Sequence, residues 1–415
     1  MIVYRIEDCE PTKSIDLKGY KCNVCCNQEK HLFHTYYHIG YEEEVTYCRC
    51  CMMGQSNCDI ESVKIDQTQE MLPFHLGFSL TPLQTKASQF ILACFKDRKD
   101  CLINAVTGAG KTEMVIEAIH TARALGFNVA LVSPRVDVVK ELSLRMNQYL
   151  KQKELTNAYV STLYGGHHTI ENMHFIIATV HQLMKFKNYF HLIFIDEIDA
   201  FPMTTDQRLH RIINASKHPS GMIVYLSATP PKTIEMKCKD TTIKIPMRFH
   251  QRPLPIPHLK FVNSKQFIRW IRSDITKNKK EITLYFFNHI EAMQSIFESL
   301  NIEGGVMVDA SDIDRHEKVE SIRKREYRYV FTTTILERGF TVEHLNVVVI
   351  NSHLFTWDSL VQIAGRVDRK GIEKNGKVTF LHQGVSLSML KALKYIQRMN
   401  QLRLQEVNDD KMHCL

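Results

Sequence analysis

The sequence predicts an α/β protein: two tandem parallel-sheet lobes preceded by a small cysteine-rich module. Three observations carry this. Apolar, β-branched segments alternate with helical stripes twice, from about Pro73 to Pro246 and again from Ile282 onward. A proline-rich break holding Pro246, Pro253, Pro255 and Pro257 separates the two series. Eight of the twelve cysteines (Cys9, Cys22, Cys25, Cys26, Cys48, Cys50, Cys51 and Cys58) lie in the first 58 residues.

In a reducing compartment such clustering argues for metal rather than disulfides. Cys22-Asn-Val-Cys25 and Cys48-Arg-Cys-Cys51 are two Cys-x-x-Cys knuckles separated by 22 residues. Each knuckle brings two thiolates to one ion, and two knuckles complete a tetrahedral four-sulfur zinc site that is closed and therefore structural. Cys26 and Cys50 offer other registers, and His31, His34 or His38 could replace a sulfur; a redox dithiol is the competing chemistry. Tyr20, Tyr36, Tyr37, Tyr41 and Tyr47 surround the knuckles, where they suit either stacking on single-strand bases or packing around the metal.

In the first α/β series, Cys101–Val106 reads as a buried strand, and Met114, Ala118, Ile119, Ala122 and Leu125 form a helical stripe ending at Gly126. Further strands are expected at 128–133, 174–178, 191–195 and 222–226, then at 282–287, 329–333, 345–351 and 377–381, with a closing helix from about Ser386 to Arg403. The expected division is a zinc module over 1–65, a first lobe over 70–246, a linker over 247–260 and a second lobe over 261–415.

A chain of 415 residues, 44% hydrophobic, has material for two or three domains. No apolar run approaches the ~18 residues of a membrane-spanning helix. Met1–Glu10 mixes charged and apolar residues and lacks a signal-peptide core, so a cytoplasmic protein is expected. The formal charge of +8 favours an anionic partner only mildly. Four thiolates around Zn²⁺ carry a net charge of about −2 and reduce it further.

The chemistry is concentrated in three motifs. The loop Thr107-Gly108-Ala109-Gly110-Lys111-Thr112 follows the strand at Cys101 and opens a helix. Gly108 and Gly110 let backbone N–H groups approach phosphate oxygens, and the helix N-terminus adds positive charge. Lys111 would reach the β- and γ-phosphates and Thr112 would ligate Mg²⁺; Ala105 stands where the generic pattern has Gly. Asp196 follows an apolar strand 85 residues after Lys111, at the carboxyl edge of a sheet. It is the candidate for holding hydrated Mg²⁺, and Glu197 the candidate for polarising the attacking water. Arg366 and Arg369, three residues apart on an expected helix, share a face and present permanent planar charge suited to a transferring phosphoryl group.

The order Ala105–Thr112, Asp196-Glu-Ile-Asp199, Ser227-Ala-Thr229 and Gln362-Ile-Ala-Gly-Arg366-Val-Asp-Arg369 resembles the superfamily 2 helicases and translocases, the DEAD/DEAH-like group. The resemblance implies RecA-like lobes whose seam forms one ATP site. It implies adenine recognition by Gln84 within Leu80-Thr81-Pro82-Leu83-Gln84, nucleotide contacts from Gln362, and coupling of the γ-phosphate state to lobe closure through Ser227 and Thr229. It also implies nucleic-acid contacts from Pro134-Arg135, Thr179, His181 and Thr332–Thr334, and from Thr334–Thr341 as a fifth motif.

A zinc module ahead of two such lobes resembles the ComFA family of bacterial natural competence; the primosomal helicase PriA also carries zinc knuckles, but they interrupt its motor. The ComFA resemblance implies a cytoplasmic ATPase at the inner face of the membrane. Such a protein binds single-stranded DNA, is stimulated by it, works beside other competence proteins and helps draw transforming DNA inward. Two other functions compete, a repair or replication-restart DNA helicase and a nucleic-acid-binding scaffold that uses ATP only as a conformational switch. Against the scaffold, Lys111, Glu197 and Arg369 form a hydrolytic set that a pure binder does not need. The oligomeric state is left open.

Overall fold

A computed structural model describes residues 2–7, 12–66, 74–150, 160–169, 173–278, 281–337, 342–369, 371 and 376–412. The chain divides into two compact units, Met1–Asn104 with Lys111–Ile243, and Ala105–Gly110 with Lys244–Leu415.

The N-terminal module contains β1 (Ile2–Arg5), β2 (Thr12–Lys13), β3 (Ile15–Asp16), β4 (Lys21–Cys22), β5 (Phe33–His38), β6 (Glu43–Cys48) and β7 (Asp59–Lys64). Strand β7 pairs in parallel with β1 and antiparallel with β2, while β3–β4 and β5–β6 are separate hairpins. Its core is small: Val3, Ile15, Val24 and Ile60 packed around cysteines.

The first lobe follows with α1 (Pro82–Asp97), β8 (Cys101–Ala105), α2 (Lys111–Met114), α3 (Ile116–Ala124), β9 (Val129–Ser133), α4 (Val136–Leu150), β10 (Ser161–Tyr164), β11 (His167–Thr169), β12 (Phe175–Thr179), β13 (Phe190–Asp196), α5 (Gln207–Ser216), β14 (Lys217–Ser227), α6 (Lys232–Lys237) and β15 (Thr242–Ile245). Among the described residues these strands form a sheet of order β11-β10-β12-β9-β13-β14-β8-β15. The pairs from β10 through β8 are parallel. All seven residues of β13 are buried, as a central strand covered on both faces requires.

The second lobe contains β16 (His258–Phe261), α7 (Phe267–Lys277), β17 (Ile282–Phe286), α8 (Ile290–Leu300), β18 (Gly305–Val308), α9 (Arg315–Arg323), β19 (Tyr329–Thr332), β20 (Leu345–Val349), α10 (Trp357–Ala364), β21 (Val378–His382) and α11 (Leu387–Met412). Its sheet, of order β16-β21-β20-β17-β19-β18, is parallel throughout the described pairs. Phe331 anchors the core, with ring centroids 4.9 Å from Tyr285 and 5.1 Å from Phe297.

The predicted fold class is therefore the one observed, two parallel-sheet RecA-like lobes behind a cysteine module. Each expected strand is present. In the described residues of the two lobes, five short ones, β10, β11, β15, β16 and β18, escaped the sequence reading because they are four residues or fewer and lack a long apolar run. The module strands β1–β7 were not expected either. Leu125 differs from its expected place. Met114, Ala118, Ile119 and Ala122 are fully buried, but Leu125 is 55% exposed, because α3 ends at Ala124 and the chain turns there.

Candidate nucleotide site and cysteine cluster

Register alone brings the acidic motif to a sheet edge. Asp196 lies beside Leu226, and Ser227 beside Asn104, so the carboxyl ends of β13, β14 and β8 share one rim. Ligands bind at this rim in open parallel sheets. Burial pushes the Asp196 carboxyl up to about 6, opposed by the Lys111 ammonium and reinforced by Glu197 and Asp199. Glu197 has a left-handed backbone with φ +58°, held by its N–H donating to Asp196 Oδ1 at 3.0 Å and to the Leu226 carbonyl at 3.1 Å.

Asp199 ties the acidic motif to the next one. Its two carboxylate oxygens accept from Ser227 Oγ and Thr229 Oγ1, each at 2.7 Å, and the three residues are at most 4% exposed. Ser227 Oγ in turn accepts from the Thr229 N–H at 2.9 Å. Asp199→Asn replaces one of two buried acceptors with a donor. It is expected to cost about 1–3 kcal/mol of stability, read as a lower urea midpoint at unchanged m.

Lys111 and Thr112 open α2. The Thr112 hydroxyl accepts from Arg145 Nη1 at 3.3 Å. The same guanidinium lies 3.6 Å from Glu113 Oε1 and pairs with Glu141 at 2.7 Å. Tyr149 OH donates to Glu113 at 2.7 Å. Arg145 thus bonds the expected Mg²⁺ ligand directly, and Glu113 and Tyr149 form the network behind it. Sequence reasoning missed them because Arg145 and Tyr149 sit on α4, between motifs, on an ordinary amphipathic helix. Hard oxygen donors at Asp196 and Thr112 fit Mg²⁺. Gln84 is buried, and its Oε1 accepts from the Thr81 N–H at 2.9 Å in a capping box that starts α1, with Pro82 in the first turn.

In the second unit, Thr107, Gly108, Ala109 and Gly110 form the tight loop expected of a phosphate cradle. Gly108 and Gly110 take φ of +81° and +79°, and the Ala109 N–H donates to the Val106 carbonyl at 3.2 Å. Gln362 is buried on α10. That helix stops at Ala364, so Arg366 and Arg369 lie on successive turns beyond it and not on one helical face. Arg366 is 4% exposed and donates from Nε to the Glu337 carbonyl at 2.8 Å, while the Glu337 carboxylate accepts from Ser359 Oγ.

The expected nucleic-acid contacts are scattered in character. Arg135 pairs with Asp137 at 3.9 Å, Thr179 is buried, and His181 is exposed. Thr332 is buried and its hydroxyl donates to the Val308 carbonyl at 2.8 Å, whereas Thr334 is exposed. Arg338, Gly339 and Thr341 lie outside the described residues.

The cysteine knuckles are near-copies of one another. The Cys26 and Met52 N–H groups donate to the Cys22 and Cys48 carbonyls, both at 2.9 Å, and Cys26 and Met52 take φ of +60° and +57°. These turns bring the sulfurs of Cys22, Cys25, Cys48 and Cys51 within 4.8 Å of one another. Cys22 and Cys51 sulfurs are 3.8 Å apart, and Cys25 and Cys48 sulfurs 3.7 Å. Four thiolates on tetrahedral Zn²⁺ with ~2.3 Å bonds stand about 3.8 Å apart, so the set fits that ion. Hydrogen bonds from Cys22 and Cys25 lower Cys48, and the same donors bring Cys51 down to about 7. Cys26 stands outside the cluster, packed into the first lobe's core and accepting from Lys187 Nζ at 3.8 Å. His34 stacks on the Tyr47 ring edge, 5.7 Å between centroids.

Comparison with known proteins adds the lineage. Residues 6–60 match the Competence protein ComFA N-terminal domain, 77–232 the Type III restriction enzyme, res subunit, and 265–371 the Helicase conserved C-terminal domain. Competence protein ComFA of Bacillus subtilis (strain 168) is 33% identical over 417 residues, covering 95% of this chain and 88% of that protein. The chain belongs to the ComFA family. The ComFA protein of Streptococcus pneumoniae is likewise 33% identical, with 85% of each chain covered. Beyond the ComFA family, a Transcription-repair-coupling factor of Helicobacter pylori is 26% identical over 75% of this chain and 32% of its own length. Among solved structures, S. cerevisiae Dbp5 bound to RNA and ADP BeF3 matches with TM-score 0.56 at 14% identity, covering 77% of this chain and 92% of that one. RecG bound to a three-way DNA junction matches with TM-score 0.55 at 18% identity, covering 81% and 50%. These structures show the shared fold. This ComFA member is thus a helicase-like ATPase of superfamily 2, a class whose domains imply ATP and Mg²⁺, and no described helix is long and apolar enough to cross a membrane.

Proposed function

We propose that this chain is an ATPase stimulated by single-stranded DNA that translocates DNA during natural competence, working in the cytoplasm at the inner face of the membrane beside other competence proteins. The observation that carries the reading is the buried Asp196 beside Lys111 and Glu197 at a parallel-sheet rim, in a chain of ComFA lineage.

Lys111 holds the β- and γ-phosphates as a point charge, and Glu197 accepts the proton of the attacking water as the terminal phosphoryl group leaves ADP. Asp196 and the Thr112 hydroxyl would hold Mg²⁺, which neutralises charge on the phosphate oxygens. Thr107–Gly110 bind phosphate by main-chain N–H groups, Gln84 and Gln362 recognise the nucleotide, and Ser227 and Thr229 relay the state of the site through Asp199. Arg366 and Arg369 supply positive charge to the transferring group. Cys22, Cys25, Cys48 and Cys51 hold a structural Zn²⁺ in a module over 1–65, ahead of lobes over 70–246 and 261–415 joined by 247–260.

The test is ATP turnover with single-stranded DNA, duplex DNA, RNA or no nucleic acid at one fixed salt concentration. Single-stranded DNA is expected to stimulate most, and stimulation by RNA alone contradicts the reading. A second reading, a repair or replication-restart helicase, is favoured by the 26% identity to the Transcription-repair-coupling factor; preferential stimulation by duplex or branched DNA, with strand separation, would select it.

A further inference from the structure

Arg248 follows β15 and is 1% exposed, one of the largest fully buried side chains of the molecule. Its guanidinium donates to four main-chain carbonyls. Nε reaches Thr107 at 3.2 Å, Nη1 reaches Val367 at 2.8 Å and Asp368 at 3.0 Å, and Nη2 reaches Gly365 at 3.1 Å. All these residues belong to the second unit. One planar fork therefore ties the phosphate loop to the segment that carries Arg366 and Arg369.

The surroundings are fitted to that fork. The Phe249 N–H donates to the Gly108 carbonyl at 3.1 Å, so consecutive residues grip the phosphate loop. A Cβ on Gly365 would lie 2.1 Å from Thr107 Oγ1, so only glycine lets the two segments meet. A Cβ on Gly108 would lie 3.5 Å from the Arg369 carbonyl and 3.6 Å from Arg248 Cγ. The carboxylate of Asp368 bonds Arg252 at 3.1 Å, and Arg248 rests on carbonyl dipoles. Burial pushes its guanidinium down to about 10, partly offset by Asp368, and it stays protonated at neutral pH. A buried charge is costly to keep, and four convergent carbonyls are the compensation.

We propose that Arg248 is a positioning residue for ATP hydrolysis: it holds the phosphate loop and the arginine-bearing segment as one body, so that the placement of Arg366 and Arg369 depends on it. The proposal rests on the ATPase reading above and assigns a residue outside its motifs. A lysine cannot replace the fork, because an ammonium is a compact point donor that cannot span carbonyls of both segments.

The experiment compares full-length wild type, Arg248→Ala, Arg248→Lys and Gly365→Ala with Mg²⁺-ATP and single-stranded DNA. It measures kcat and KM, and counts nucleotide sites by titration with a fluorescent ATP analogue. Arg248→Ala is expected to keep its nucleotide sites and KM while kcat falls about 100-fold, the scale for a displaced catalytic group. Arg248→Lys is expected to fail to restore kcat. Gly365→Ala, which keeps the guanidinium but separates the segments, is expected to show the same pattern. The proposal is overturned by wild-type kcat in Arg248→Ala, by full rescue with lysine, by wild-type kcat in Gly365→Ala, or by a kcat loss that only matches lost nucleotide sites. The wild type is the separate control: no Mg²⁺-ATP turnover in it above that of Lys111→Ala overturns the ATPase reading itself, whereas the comparisons among Arg248 and Gly365 variants test the role of Arg248.

Discussion

Glu197→Gln is expected to bind ATP about as well as the wild type and to lose turnover by roughly 10²–10⁴-fold, the contribution of a positioned general base. The amide keeps the shape of the carboxylate and removes its capacity to take a proton. The local backbone should survive, because the left-handed conformation at Glu197 is held by main-chain donation to Asp196 and Leu226, which the substitution leaves in place. That conformation costs a non-glycine residue about 1–2 kcal/mol, so its presence at the rim fits a placement retained for chemistry. Lys111→Ala should differ by raising KM as well, since it removes a phosphate contact made before the reaction begins. The measurement is steady-state turnover with a parallel ATP titration. DNA-stimulated turnover at the wild-type rate in Glu197→Gln would remove Glu197 from the mechanism.

The residues legible in sequence were those whose chemistry is fixed by chain-local spacing. Gly108, Gly110 and Lys111 announce themselves through a strand–loop–helix pattern, and Cys22, Cys25, Cys48 and Cys51 through paired spacings. The register choice against Cys26 needed the structure, because both registers place thiols at plausible spacing; the packing of Cys26 into the first lobe's core separates them. Arg145 and Arg248 were illegible for a different reason. Arg145 reaches Thr112 across 33 residues and Arg248 reaches Thr107 across 141, and no sequence motif around either marks it as more than a surface cation. Arg366 and Arg369 are legible as residue types but not in their local geometry, because helix α10 ends at Ala364, a residue before the Gly365 that the Thr107 contact requires. Spacing rules presuppose an unbroken helix, and tertiary contact overrode that assumption here.

Cys25→Ser is expected to release the metal and loosen the N-terminal module. Among the described residues the buried aliphatic side chains of the module are Val3, Ile15, Val24, Val45 and Ile60, a small core that a closed metal site would staple, with Tyr4, Ile6 and Cys26 packed against the first lobe. Gly54 shows how closely the knuckles are packed, since a Cβ there would lie 2.7 Å from Cys22 Sγ. A hydroxyl in place of the Cys25 thiolate leaves three sulfurs and a weak oxygen ligand around the ion, and metal affinity in such sites is folding free energy. Metal analysis of purified wild type should find about one Zn²⁺ per chain, as a single closed four-sulfur site requires, and Cys25→Ser markedly less. Limited proteolysis should then cut the variant within the module before the lobes. Cys58→Ser is the matched control, because that thiol is exposed, lies outside the cluster and hydrogen-bonds the Gln55 and Asn57 side chains. Full metal content and wild-type protease resistance in Cys25→Ser would show that this sulfur is not a ligand, and that burial alone brings the four thiols together.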